Sequence, residues 1–185
     1  MFNMDRKKSL LLVIDIQDRL AQGMQKEEFA VFLAKNKILI NGCNILGLPI
    51  LQSLQYKKGL GESVEGLFGE NIKKIDFEKR VFSCCYENSE LLDFLAKNPH
   101  IRQVIISGME AHVCVLQTAR DLKQAGFDVI VPQDCVISRD ISNKQNALNL
   151  MCNLNVNVAN MESILFDLLK TSTAEEFKTI SNIVK

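Results

Sequence analysis

The five residues from Leu10 to Ile14 are apolar without interruption, and the next residue is Asp15. A strand with one face in water alternates apolar and polar side chains. A run without alternation reads as a strand covered on both faces, which is how parallel sheets are buried. "IRQVIISG" and "FDVIVPQ" carry short runs of the same kind. Helical spacing fills the intervals. "FAVFLAKNKILINGCNIL" stops at Gly47, "NSELLDFLAKNP" has Asn88 or Ser89 as cap and Pro99 beyond its end, and "CVLQTARDLKQA" stops at Gly126. "LPILQSLQ" reads as a second strand, "FEKRVFSCC" as a short third and "NVNVAN" as a weaker last one, while "YKKGLGESVEGLFGE" reads as a loop. "SNKQNALNLMCNL" and "TAEEFKTISNIVK" each open on a capping-box pattern, Ser142 with Gln145 and Thr173 with Glu176. Strands alternating with helices predict a single α/β domain over residues 1–185, three layers deep (α/β/α), with a mostly parallel, doubly wound sheet.

The totals narrow the function classes. Acidic and basic residues number 22 each, so nothing favours nucleic acid or an anionic membrane surface as partner. No apolar run approaches the ~20 residues of a membrane span. The basic-then-apolar beginning imitates a signal peptide, but the run is short and Asp15 interrupts it; it reads as a mobile start before a buried strand. Six cysteines without a signal peptide fit reduced thiols and a cytoplasmic location. With no C-x-x-C and only His100 and His112 as histidines, a Cys/His zinc site is not expected. No G-x-G-x-x-G follows the first strand and there is no P-loop, so no nucleotide cofactor is expected.

In a doubly wound sheet the ligand crevice lies outside the carboxyl ends of the strands. Asp15 ends the first strand, Lys79 sits in the third and Cys114 follows the fourth, where a helix begins. Taken singly, each has an ordinary alternative. Asp15 suits a loop cap, Lys79 a solvated surface and Cys114 a small core hydrophobe. Cys84 and Cys85 read as packing residues, and His112 as pocket-lining rather than as a base, being two residues from Cys114. A cysteine at a helix start gains from the unpartnered N–H groups and the macrodipole, which lower a thiol pKa. On that ground, with Lys79 alongside, Cys114 is expected to be the most acidic of the six thiols.

Three stretches together, "LLVIDIQDRL", "EKRVFS" and "SGMEAHVCVLQTARDLKQAGFDVIVPQDCVISR", resemble the isochorismatase-like cysteine hydrolases over nearly the whole chain. The likeness is greatest to a metal-free branch, which also has a loop similar to "QYKKGLG". The resemblance implies a catalytic triad of Asp15, Lys79 and Cys114, acting on an amide, carbamoyl or related bond of a small molecule through a covalent thio-intermediate. It also implies an oxyanion hole from the backbone N–H groups of Glu110 and Cys114, with a cis bond at Met109–Glu110. Gln17, Tyr56, Phe82 and His112 are the expected substrate contacts, and a homo-oligomer is the expected assembly. Nicotinamidases of this family hold a metal with an Asp-x-His near the second strand; "LQSLQYKKG" has neither residue, so no metal is expected. The alternative within the family is a catalytically silent member that serves as an oligomeric assembly protein.

Overall fold

The structure, a computed structural model, describes residues 3–185. Seven strands form one sheet: β1 (Ser9–Ile14), β2 (Ile50–Gln55), β3 (Ile75–Lys79), β4 (Gln103–Met109), β5 (Asp128–Pro132), β6 (Val136–Ile137) and β7 (Asn157–Ala159). Their order is β3-β2-β1-β4-β5-β7, and β6 pairs with the end of β4. Every pairing between these strands is parallel. The helices are α1 (Asp18–Ala21), α2 (Lys26–Ile45), α3 (Lys57–Leu60), α4 (Glu90–Lys97), α5 (Leu116–Gln124), α6 (Ile141–Asn153), α7 (Met161–Leu169) and α8 (Phe177–Ile183). A π-helical turn, Ala111–Val115, leads into α5, and a 3-10 turn, Gln133–Cys135, joins β5 to β6.

The uninterrupted apolar runs lie in the central strands, and alternate side chains serve opposite faces. Leu11, Val13, Ile105 and Ile130 pack under α2 and α7, against residues such as Phe32, Leu39, Ile164 and Leu165. Leu10, Leu12, Ile14, Val104 and Ile106 meet α4, α5 and α6 through Leu91, Leu95, Ala119, Leu122 and Met151. The three-layer fold expected from the alternation is the fold observed.

Several local expectations change. The third strand ends at Lys79, and Arg80 to Ser83 are bends, so Val81 and Phe82 are about half exposed instead of continuing a ladder. Neither capping box forms. Asp140 caps α6 and accepts from both the N–H and the hydroxyl of Ser142 (2.8 and 2.7 Å). At the chain's end a pair of turns after Thr171 delays α8 to Phe177, and the Thr173 hydroxyl pairs with that of Thr171. Lys57–Leu60, read as loop, is one helical turn. The expected mobile start lies partly outside the described residues; from residue 4 onward it is tied down, with Met4 buried in the core and the Asp5 N–H donating to Gln103 Oε1 at 2.7 Å. Ser89 is the cap of α4, accepting from the Leu92 N–H.

One glycine sets the geometry of the site. Gly108 is registered with Ile14, the last residue of β1, and has φ +121°. A Cβ there would stand 2.0 Å from the Ile14 carbonyl oxygen. Only glycine lets β4 approach β1 this closely where both strands reach their carboxyl ends. Gly108→Ala is expected to lower unfolding stability by about 3 kcal/mol or more. Urea denaturation measures it, and a midpoint equal to wild type contradicts the packing described.

Candidate active site

Asp15 is the residue after β1. It takes the left-handed conformation, φ 51°, and its N–H donates to the Ser53 carbonyl of β2 (3.1 Å). A non-glycine residue held there is a strained position that the surroundings must enforce. The turn sends the carboxylate into the protein, where it is wholly buried. Ser53 Oγ donates to Oδ1 at 2.7 Å, and Lys79 Nζ donates to Oδ2 at 2.7 Å.

Lys79 ends β3, and its side chain is also sealed from solvent. Its ammonium donates to Asp15, to Gln55 Oε1 (2.6 Å) and to the Val81 carbonyl (3.4 Å), so every N–H has a partner. Burial is the largest influence and pushes the ammonium pKa down, but the charge and hydrogen bond of Asp15 together with the Cys84 and Cys114 thiols make the net direction upward. The lysine therefore keeps its charge inside the protein. Gln55 is braced in turn by donating Nε2 to the Arg80 carbonyl (2.9 Å).

Cys114 lies in the π turn and is 6% exposed. Its thiol is pushed up to about 12, first by burial and then by the charge of the Asp15 carboxylate, with Lys79 pulling the other way. This reverses the expected acidic thiol. The helix start is present, but the lysine charge is committed to Asp15, and burial disfavours a thiolate. Cys84, read as packing, stands in the same electrostatic neighbourhood. Burial raises it to about 11, Lys79 opposes that rise, and Ser53 and Thr118 hydrogen-bond the thiol. Its N–H also donates to Thr118 Oγ1, one helical turn beyond Cys114 (2.9 Å).

The Met109–Glu110 peptide bond is cis. Glu110 caps the π turn, and its carbonyl accepts from the N–H groups of Val113 (3.1 Å) and Val115 (3.3 Å). The Cys114 N–H lies between those two and is not bonded to that carbonyl. The Glu110 carboxylate is nearly buried. It accepts from the Arg139 N–H and from Arg139 Nη1, both at 3.0 Å.

The expected substrate contacts divide. Gln17 is wholly buried, and its amide is used up: Nε2 donates to the Gln55 and Gly61 carbonyls, and Oε1 accepts from the Gln55 N–H. It clamps β2 to the loop, and both of its donors are engaged within the protein. Tyr56, at φ 37°, lies under the Arg80 guanidinium at 4.0 Å and is 38% exposed. Phe82 is exposed three residues beyond Lys79. His112 Nδ1 is bonded to Ser138 Oγ at 2.9 Å. Ser53, Gln55, Cys84 and Arg139 were missed. Each meets its partner across 24 or more residues, and no local pattern marks such pairs.

Among the described residues no group of three or more His, Cys, Asp and Glu is arranged to hold a metal. A cleft of about 730 Å³, lined by Lys7, Lys8, Arg102 and Gln103, lies at the amino ends of β1 and β4, away from Asp15, Lys79 and Cys114. At the carboxyl edge, one buried carboxylate, one buried cation and one nearly buried thiol converge. Such a group can pass a proton from sulfur to carboxylate as sulfur attacks an electrophile.

Residues 9–163 match the Isochorismatase domain model. Isochorismatase family protein 1B of Dictyostelium discoideum is 35% identical over 181 residues, covering 96% of this chain and 86% of that protein. A solved structure described as the MAR1 ribonuclease of Caenorhabditis elegans superposes with a TM-score of 0.89 at 32% identity, covering 99% of this chain and 92% of that one. The Escherichia coli YcaC gene product, described as an octameric hydrolase of unknown specificity, shares the fold with a TM-score of 0.82 at 17% identity, covering 99% and 89%. The expectation from the sequence motifs holds, and the chain belongs to the isochorismatase family.

Proposed function

We propose that the chain is a cysteine-dependent hydrolase of a small molecule, with Asp15, Lys79 and Cys114 as its triad. The observation that carries this reading is the Asp15–Lys79 ion pair, sealed at the carboxyl edge of the sheet with Cys114 beside it. Ion pairs this deep cost several kcal/mol in desolvation and are a weak route to stability, so chemistry is the better account of them. In the first step the Cys114 sulfur bonds to the substrate carbonyl carbon while Asp15 takes the thiol proton. Charge passes to the carbonyl oxygen, facing the N–H groups of Glu110 and Cys114. Asp15 returns the proton to the leaving amine or alcohol as the carbon–heteroatom bond breaks. Water, giving its proton to Asp15, then cleaves the thioester, and the thiol is re-formed. Lys79 holds the Asp15 side chain in place through both steps, while the proton moves on and off the carboxylate.

The small-molecule reading rests on access, because a sulfur 6% exposed suits a compact substrate better than a polymer. Tyr56, Phe82 and His112 are proposed as its contacts. A cytoplasmic location is proposed from the six free thiols. Homo-oligomers are proposed from exposed apolar residues such as Val31 and Ile141, 61% and 62% exposed. Light scattering tests the assembly.

An activity screen over amides, carbamoyl compounds, esters, vinyl ethers and an oligoribonucleotide tests the reaction class. Wild type should turn over a small substrate and Cys114→Ala should not. Turnover of RNA alone, retained in Cys114→Ala, sinks the proposal.

Two further outcomes follow from the resting thiol. With its pKa near 12, the thiolate fraction grows tenfold per unit of pH throughout the neutral and mildly alkaline range. Iodoacetamide labelling of Cys114, followed by peptide mapping, should therefore rise about tenfold per unit from pH 7 to 10. A plateau below pH 8 contradicts it. Asp15→Asn removes the opposing charge and leaves the Lys79 ammonium in need of a new counterion, which a Cys114 thiolate supplies, so labelling at pH 7 should rise about tenfold or more. Turnover in the same variant should fall about 10²–10⁴-fold, because the base is gone. Labelling and turnover that move in the same direction contradict the assignment of Asp15.

A further inference from the structure

Two residues that leave β6, Ser138 and Arg139, hold two residues of the turn that carries Cys114. Ser138 Oγ is bonded to His112 Nδ1 at 2.9 Å. Arg139 takes the Glu110 carboxylate at both oxygens, through its own N–H on Oε2 and Nη1 on Oε1, each at 3.0 Å. The Glu110 side chain is only 9% exposed, whereas that of Arg139 is 63% exposed, so the arginine reaches in from the surface to a carboxylate that the fold conceals. β6 itself is two residues long and pairs with Gly108 and Met109, the last residues of β4. The backbone on either side of the Glu110 N–H is thus held by a ladder before it and by this clamp at its own side chain. A carboxylate so concealed needs a partner, and a two-point hold fixes orientation as well as charge.

We infer that Arg139 is a positioning residue for the oxyanion hole, acting through the Glu110 carboxylate to hold the Glu110 N–H where the substrate oxygen develops its charge. The inference rests on the hydrolase reading above. Arg139 need not touch substrate. Its role is confined to steps in which an oxyanion forms, and that separates it from a residue that merely keeps the site folded.

The test compares two reactions of the same sulfur. p-Nitrophenyl acetate acylates Cys114: the S–C bond forms through a tetrahedral oxyanion, p-nitrophenolate leaves and Asp15 takes the thiol proton. Iodoacetamide alkylates the same sulfur by displacement of iodide, with no oxyanion. Arg139→Ala should slow the p-nitrophenolate burst about tenfold or more, less than the 10²–10³ for outright loss of a donor, because the N–H is displaced and not removed. Labelling by iodoacetamide should change less than about twofold, and Arg139→Lys should restore part of the burst. Glu110→Gln, which keeps the backbone N–H, is the second variant, should Arg139→Ala fail to fold. It should slow the burst similarly, and the double variant should be no slower than either single one, because the arginine acts through the carboxylate. A burst unchanged in the variants, single effects that multiply, or labelling that falls with the burst overturns the inference alone. A wild-type protein whose Cys114 is alkylated but gives no burst overturns the hydrolase reading, and this inference with it.

Discussion

A lysine ammonium and an aspartate carboxylate, both without solvent contact, stand 2.7 Å apart at the carboxyl ends of β3 and β1, across the strand β2 that lies between them. Neither charge is tolerable alone in such a place, and removing one partner of a buried pair costs about 3–5 kcal/mol. The pair persists because its remaining hydrogen-bonding capacity is used by Ser53, Gln55 and the Val81 carbonyl. All these groups come from β1, β2, β3 and the bends just after them. The ladder sets Ser53 beside Ile14 and Gln55 beside Lys79. A slip of one residue in either pairing would turn Ser53 or Lys79 to the opposite face of the sheet and leave Asp15 without its partner. The ion pair and the register of the outer half of the sheet therefore specify one another.

The same pair decides the state of the sulfur. Lys79 alone would draw a proton off Cys114, but its charge is answered by a carboxylate that also faces the thiol, and burial favours the neutral form. The site at rest is an ion pair next to a thiol, not a free thiolate. This arrangement protects a nearly buried sulfur from adventitious alkylation and oxidation, since the thiolate is the reactive form. In the proposed mechanism the carboxylate that suppresses ionisation at rest is also the group that receives the proton as the S–C bond forms. Cys84 experiences the same charges but is wholly buried, with its thiol held by Ser53 and Thr118, so it contributes to the packing around the pair.

Much of the fold was legible in the sequence because two-sided burial leaves a mark on each strand separately. Leu10 to Ile14 has no alternation, and that is a property of five neighbouring residues. β3 was harder to bound, since it is an edge strand whose inward residues are only Phe77 and Lys79, and its last inward residue is charged. The unformed capping boxes failed for a related reason: Asp140 stands two residues before Ser142 and offers a stronger acceptor. That Asp15, Lys79 and Cys114 belong at one edge is a matter of the family's motifs, not of periodicity, and the raised thiol of Cys114 leaves no local mark because its helix start is local whereas its burial and the pairing of Lys79 with Asp15 are not. The partners of Gln17 are equally unmarked, as nothing near it in the sequence announces Gln55 and Gly61.

The chain builds this edge from two halves whose shared ladder, β1 on β4, ends at one tight contact. Asp15, Ser53, Gln55 and Lys79 lie within its first 80 residues, while Cys114 and the Glu110 N–H are held by the segment from Gly108 to Arg139. The halves join where Ile14 is registered with Gly108. One residue further along β1 is the left-handed turn that sends Asp15 inward, and two residues further along β4 is Glu110, the cap of the π turn. A side chain on Gly108 would push β4 off β1 at the point where Asp15 and the turn that carries Cys114 come together. Proton transfer falls off steeply beyond hydrogen-bond reach, so in the proposed mechanism an ångström gained there is felt in the chemistry before it is felt in the fold. The smallest residue in the sheet thus sets the separation between the two halves of the site, and the ion pair on one side and the Arg139 clamp on the other keep each half fixed relative to that contact.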